Sequence, residues 1–256
     1  MRFGSRRAFC SRAMDPIAIS AASGMRSRLE SLDLLANNIA NVDTGGYKLD
    51  REFYNLYTSA ESMAGDIDPS TLPVIEKNFT DFSQGTIRNT SNPLDVALQG
   101  SGFFTIGSPA GRAYTRNGAF RVSPAGTLVN SEGYGVLDTA GNPINVDPSL
   151  PLSIGIDGSV LQSGQSIAQL GLADFTPGQL VKQGNTLFHP ADPNTTPLAS
   201  SAEIQQGKLE GSNVGTAESA VRLVNVMRQF EMLQKALNIA GEMDRKTISD
   251  VAKVGP

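Results

Sequence analysis

The chain has no tryptophan, one cysteine, one histidine and only 6% aromatic residues. A lone Cys10 excludes a disulfide framework or a thiolate metal site within one molecule. His189, followed by Pro190, has no second histidine with which to share a metal and reads as a surface-loop residue. No apolar run approaches the ~20 residues that a membrane-spanning helix needs, so direct membrane insertion is not expected. Positive charge is scarce as well. Net charge is −4, and Arg2, Arg6, Arg7 and Arg12 all lie in the first 13 positions; beyond them 17 basic residues face 25 acidic ones, a balance of −8. So acidic a body repels nucleic acid and anionic membrane surfaces, and neither is an expected partner.

Chemical signatures are missing too. Gly207-Lys208-Leu209 lacks the hydroxyl and the upstream glycine pattern of a phosphate loop, and no Gly-x-Ser-x-Gly elbow occurs. Gly100-Ser101-Gly102 has no third glycine and no following helix, so it reads as a bulge or tight turn. Asp66 and Asp68 resemble the start of a calcium loop without its glycine or terminal glutamate. The carboxylates are scattered, although a fold could still assemble a glycosidase-like pair. No catalytic residue, cofactor or metal is expected.

What is present is a pair of apolar-striped segments at opposite ends of the chain. The first carries Ala18, Ala21/Ala22, Met25, Leu29, Leu32, Leu35/Ala36 and Ile39; the second carries Ala220, Leu223, Met227, Phe230, Leu233, Leu237, Ala240 and Met243. Steps of three and four place each set on one helical face. Asp15-Pro16 opens the first helix, expected over 16–40, and the run Asn37 to Gly46 ends it in a tight turn. Thr216 is expected to cap the second, over 216–247. Between them, glycines 118, 126, 133 and 141 punctuate short alternating runs, the pattern of a compact antiparallel β-domain. Further strands are expected at 152–156, 159–162, 168–175 and 186–188, with a return segment at 204–210.

Burying about eight stripe positions, several only alanine, yields roughly 8–15 kcal/mol at ~1.5–3 kcal/mol per large side chain. Ordering about 25 residues costs ~1–2 kcal/mol each, and helices of this length are marginal alone in water. The two ends pairing only with each other bury one narrow seam, so additional helices from other copies are expected to complete it. A self-contained fold is the alternative.

Four ordered motifs carry a resemblance. Leu35-Ala36-Asn37-Asn38-Ile39-Ala40-Asn41-Val42-Asp43-Thr44-Gly45-Gly46-Tyr47-Lys48 closely resembles the N-terminal signature of bacterial flagellar rod and hook proteins. Asn92 to Phe104, Tyr114 to Phe120, and Leu209 to Val214 resemble their later motifs. The resemblance implies a structural, non-enzymatic subunit of the basal-body rod. Such proteins polymerise with copies of themselves and other rod subunits into a hollow, torque-bearing tube. They leave the cytoplasm through the flagellar type III export apparatus without a cleaved signal. The implied architecture is mainly β with terminal α-helices: an antiparallel β-domain on an N-/C-terminal coiled-coil stem.

The implied division is a non-native leader over 1–13 preceding a start at Met14, an axial helix and Asn/Gly turn over 14–46, and an ambiguous connector over 47–84. A β-rich outer domain follows over 85–203, then a return segment and axial helix over 204–256. Met25, Leu29, Leu32, Ile39, Leu223, Met227, Phe230 and Leu237 are the expected subunit-interface positions. Asn37, Asn38, Asn41, Gly45 and Gly46 form the expected signature turn. Length and the run Met227 to Lys235 favour the proximal-rod type; a distal-rod or hook-type protein is the alternative, and an exported β-fold enzyme acting on cell-wall glycan is the competing class.

Overall fold

The computed structural model describes residues 16–58 and 71–254. The leader, Met14, the Asp15 cap and the Asp66/Asp68 loop lie outside the described residues. Helix α1 spans Pro16–Ala40 and α2 spans Thr216–Val254, seven residues past its expected end. The asparagines stop α1 as anticipated. Asn41 N–H is shared between the carbonyls of Asn37 and Asn38, Val42 N–H returns to Ile39, and Gly46 turns the chain at φ +69°. The cap of α2 is Gly215 rather than Thr216, because the Gly215 carbonyl accepts the first helical bond, from Ser219 N–H at 2.9 Å.

The chain folds as two compact units. Among the described residues one comprises 16–33, 52–58, 71–77 and 221–254; the other comprises Leu34–Arg51 and Asn78–Ala220. In the first unit α1 buries small residues: Ala21, Gly24, Ser27 and Ser31. A side-chain carbon added at Gly24 would lie 3.4 Å from Leu233 of α2, so the glycine sets how closely that leucine approaches. On α2, Leu223, Val226, Phe230, Leu233, Leu237 and Ala240 are buried or half-buried at alternating steps of three and four, the spacing of a heptad seam. Buried Glu52 pairs with Arg222 of α2.

The connector left ambiguous by the sequence contributes two paired strands, Asp50–Thr58 and Thr71–Thr80. The second unit is built on an antiparallel sheet with Phe103–Ser108 near its centre. This strand pairs with Gly111–Thr115 on one side and Gly135–Val136 on the other. Neighbouring residues point to opposite faces. Phe104 and Ile106 enter the main core with Val96, Leu98, Phe120, Leu128 and Val136, while Phe103 joins Tyr114, Phe188 and Leu180 in a second, aromatic cluster. A strand buried on both faces explains the unbroken run Phe103-Phe104-Thr105-Ile106.

Other pieces differ in detail. The segment 168–175 breaks into the end of Gln165–Gln169 and Leu172–Ala173, and the return segment splits at Gly207 into Glu203–Gln206 and Lys208–Glu210. The region 144–146 makes only an isolated bridge, Asn145 to Thr127. His189 is half-buried in the strand Leu187–Pro190, opposite Val181, not in a loop: Pro190 ends the strand without preventing it. Gly158 closes the hairpin between Leu152–Ile154 and Ser159–Gln162 as expected.

Two glycines give opposite expectations. A methyl group at Gly118 would sit 1.8 Å from the Val96 carbonyl oxygen, so Gly118→Ala should destabilise the protein by at least ~2 kcal/mol. Gly241 lies inside α2 with open space around it, and Gly241→Ala should stabilise by ~0.5–1 kcal/mol. Urea denaturation of the two variants measures both.

Candidate functional site

Where α1 ends and α2 begins, the chain converges on one buried charge. Glu210, at the end of the last strand, has a fully buried side chain. Its Oε1 accepts from Lys48 Nζ at 2.6 Å and from Gly85 N–H at 2.9 Å; its Oε2 accepts from Arg116 at 3.2 Å. Lys48 is itself fully buried and also donates to the Ser83 carbonyl at 2.7 Å. Arg116 donates to the Gly100 carbonyl at 2.6 Å and lies over the Phe103 ring. Burial pulls both cations below their ordinary pKa, and Glu210 opposes this in each case. A carboxylate out of water is tolerable only with such partners.

The backbone around this carboxylate is equally tied. Gly46 N–H donates to the Glu210 carbonyl at 2.8 Å. A Cβ on Gly46 would lie 2.3 Å from Asn117 N, and one on Gly85 would lie 2.1 Å from the Gly211 carbonyl oxygen, so both glycines permit close backbone contact. Asn213 bridges the segments: its Oδ1 accepts from Leu49 N–H at 2.8 Å, and its Nδ2 donates to the Asp81 carbonyl at 2.8 Å.

The signature turn forms the outer layer. Asn38 is buried and acts like an extra strand residue: its Nδ2 donates to the Asp50 carbonyl at 2.9 Å, and its Oδ1 accepts from Asp50 N–H at 3.1 Å. Tyr47 hydroxyl bridges the side-chain oxygens of Asn37 and Asn38, each at 3.0 Å. Burial, and then the Asp50 charge, push the Tyr47 phenol far above its ordinary pKa, which keeps it a donor. Asn41 Nδ2 donates to the Asn37 carbonyl at 2.9 Å, and its Oδ1 accepts from Thr44. Lys182 covers the turn, donating to the Lys48 carbonyl and to Asp50, both at 2.8 Å, with its ammonium 3.7 Å from the Tyr47 ring centre. All five signature residues therefore come together at this junction, Gly45 included, beside Asn117 and the Glu210 carbonyl.

The eight helical positions do not share one environment. Met25, Leu32, Ile39, Leu223, Phe230 and Leu237 are half-buried, whereas Leu29 is 48% and Met227 49% exposed. Sequence reasoning missed Lys48, Arg116 and Glu210 as a set. Arg116 and Glu210 each stand as the one charged residue within their quoted motifs, and Lys48 as the one basic residue of its own, which was the available signal; no spacing rule joins positions 48, 116 and 210. Among the described residues no group of His, Cys, Asp or Glu could hold a metal, and no helix is long and apolar enough to cross a membrane.

The comparisons with known proteins fall on these segments. Residues 20–48 match the family "flagella basal body rod protein", residues 97–162 the "flagellar hook protein FlgE/F/G D1 domain", and residues 205–250 the "flagellar basal body rod FlgEFG protein C-terminal" region. Each matched segment contributes one member of the buried triad. Flagellar basal-body rod protein FlgF of Caulobacter vibrioides is 33% identical over 253 residues, covering 94% of this chain and all of that protein. FlgF of Mesorhizobium japonicum is 35% identical over 219 residues, covering 84% of this chain and 88% of its own. FlgG of Buchnera aphidicola subsp. Schizaphis graminum is 34% identical, covering 91% and 98%. The chain belongs to the flagellar basal-body rod protein family.

Glu210→Gln leaves two buried cations without their counter-charge and should cost ~3–5 kcal/mol, measured by urea denaturation; Arg26→Ala, which breaks an exposed helical pair with Glu30, should change stability by less than ~0.5 kcal/mol. Acid lability is the second expectation. Burial pushes the Asp81 carboxyl up, but donation from Ser83 and the Arg51 charge outweigh it and hold the group below its ordinary value. The unfolded chain therefore takes up this proton first as pH falls. Stability should hold above the ordinary carboxylate range and fall below about pH 4, and Asp81→Asn should flatten that fall in thermal melts.

Proposed function

We propose that this chain is a proximal-type rod subunit that polymerises through its terminal helices, with copies of itself and with other rod subunits, into the hollow shaft that carries torque through the basal body. The family membership makes it a structural rod protein of the flagellar basal body. The observation that carries the finer reading is the double-faced character of α2. One face supplies the seam Leu223, Val226, Phe230, Leu233, Leu237; a second face, Val221, Val224, Met232, Ile239 and Met243, stays exposed. A helix with apolar side chains on two faces has more surface to bury than its own chain covers. The exposed Leu29 and Met227 belong to the same surplus.

The buried triad suits the mechanical role. Load entering through either helix reaches the β unit at segments clamped to each other, so neither end can be drawn out without breaking ion pairs at Glu210. Passage through the flagellar type III export apparatus before assembly requires an unfolded chain. The triad is compatible with that, since Lys48 and Glu210 are 162 positions apart and meet only on folding.

The test separates assembly from folding. Met232→Asp alters a side chain 60% exposed, so the monomer's stability should stay within ~0.5 kcal/mol of the parent while motility and rod incorporation are lost. A chain trimmed to 34–220 should keep its β-type circular dichroism and fail to assemble. The cut falls at Leu34 because Leu35, Asn38 and Asn41 belong with the β unit. Normal rods built from Met232→Asp would refute the second face as an interface.

A further inference from the structure

Helix α1 has an outer face of its own. Its buried residues Ala21, Gly24, Ser27 and Ser31 lie on one side, where Gly24 approaches Leu233. On the other side Ala22, Arg26, Leu29 and Asp33, at steps of four, three and four, are all exposed. Opposite its seam, α2 exposes Lys235, Ile239 and Glu242 at steps of four and three. Leu29 is 48% exposed and Ile239 58%. Arg26 reaches only sideways to Glu30 of its own helix, at 3.2 Å. Asp33, Lys235 and Glu242 form no ion pair among the described residues.

Each stripe thus centres an apolar residue between charges of opposite sign, and those charges select a register. Leu29 can be set opposite any exposed large apolar residue of α2: Val221, Val224, Met227, Met232, Ile239 or Met243. Asp33 and Arg26 then meet the residues four and three positions to either side. With the helices antiparallel, Met232 brings Arg26 against Lys235 and Met243 brings it against Lys246, both repulsive. Val221, Val224 and Met227 bring neither charge to a partner. Ile239 alone gives two attractions, Asp33 with Lys235 and Arg26 with Glu242. No parallel register gives more than one. Charges flanking an apolar contact between helices set partner and register in this way.

We infer that the outer face of α1 in one copy packs antiparallel on the outer face of α2 in a neighbouring copy, with Leu29 against Ile239, Asp33 beside Lys235 and Arg26 beside Glu242. Both stripes lie on the helix sides turned away from the intramolecular contact, so a second copy must supply the partner. The two faces are different surfaces. The contact is therefore head-to-tail and propagates through an assembly instead of closing a two-fold dimer. The inference rests on the rod reading above, which supplies the neighbouring copies, and adds which surface meets the second face of α2.

The experiment exchanges charges in the full chain and reads the amount of it in purified basal bodies. Asp33→Lys sets like charges against each other and should lower recovery severalfold, with loss of swimming; Asp33→Lys combined with Lys235→Asp should restore both. Arg26→Glu, alone and with Glu242→Arg, repeats the exchange independently at the second pair. All four sites are exposed, so the circular dichroism of the soluble chain should not change. Normal recovery of the single variants, or no rescue by either double variant, overturns the inference. A photo-crosslinking amino acid at position 239 identifies the partner. Cross-links to 26–33 of another copy support the inference; cross-links to another segment, or to a different protein, overturn it. Native chain is assayed in parallel. Its absence from basal bodies would count against the rod reading, whereas its presence without rescue or cross-link counts against the α1–α2 contact alone.

Discussion

The rest of the β unit depends on one carboxylate being held away from water by two buried cations. Glu210 is neutralised by Lys48 from the segment after α1 and by Arg116 from the turn after a central strand, and its Oε1 also accepts from Gly85 N–H. Desolvating three charges is expensive, so the triad adds less net stability than its short distances suggest. What it does supply is specificity. A compact state with any of the three segments misplaced leaves a buried ion unpaired, and that penalty excludes it.

This constraint explains why glycines gather at the junction. Gly46, Gly85 and Gly118 sit where a single methyl group would collide with the backbone of another segment. Close approach brings the charged side chains within hydrogen-bonding range and lets Asn38 and Asn213 bridge backbone to backbone. The polar signature of the N-terminal motif is thus a set of crosslinks: Asn38 and Asn41 bond backbone groups where a helix stops and a strand has not yet begun, and Asn37 Oδ1 accepts from Tyr47 and Asn41.

The helical ends follow a different logic. Small residues on α1 leave room for Leu233, and the heptad spacing on α2 makes one seam. On the proposed reading, the second apolar face of α2 is a liability for a monomer and a resource for a polymer. A rod protein can carry such a face because its working state is assembled, and the acidic body opposes indiscriminate association until then.

Much of this was legible in the chain. The bounds of α1, the Asn-Gly stop, the start of α2 and the antiparallel β middle follow from side-chain periodicity and from glycine and asparagine backbone preferences, which act over a few residues. The strand Asp50–Thr58 was not legible because its pairing with Thr71–Thr80, not its pattern, makes it a strand. The cap of α2 lies one residue earlier than read, because the Gly215 carbonyl, not that of Thr216, accepts the first helical bond. Nor could periodicity say which stripe faces inward: Val226 is buried and Met227 beside it is exposed, a rotation of one residue decided by the packing partner. Lys48, Arg116 and Glu210 appeared only as members of three separate motifs. The sequence determined the local elements, because local sterics and patterning suffice for them; the tertiary structure alone decided that three distant charges share one dry site, because the cost of burying each is offset only by the other two.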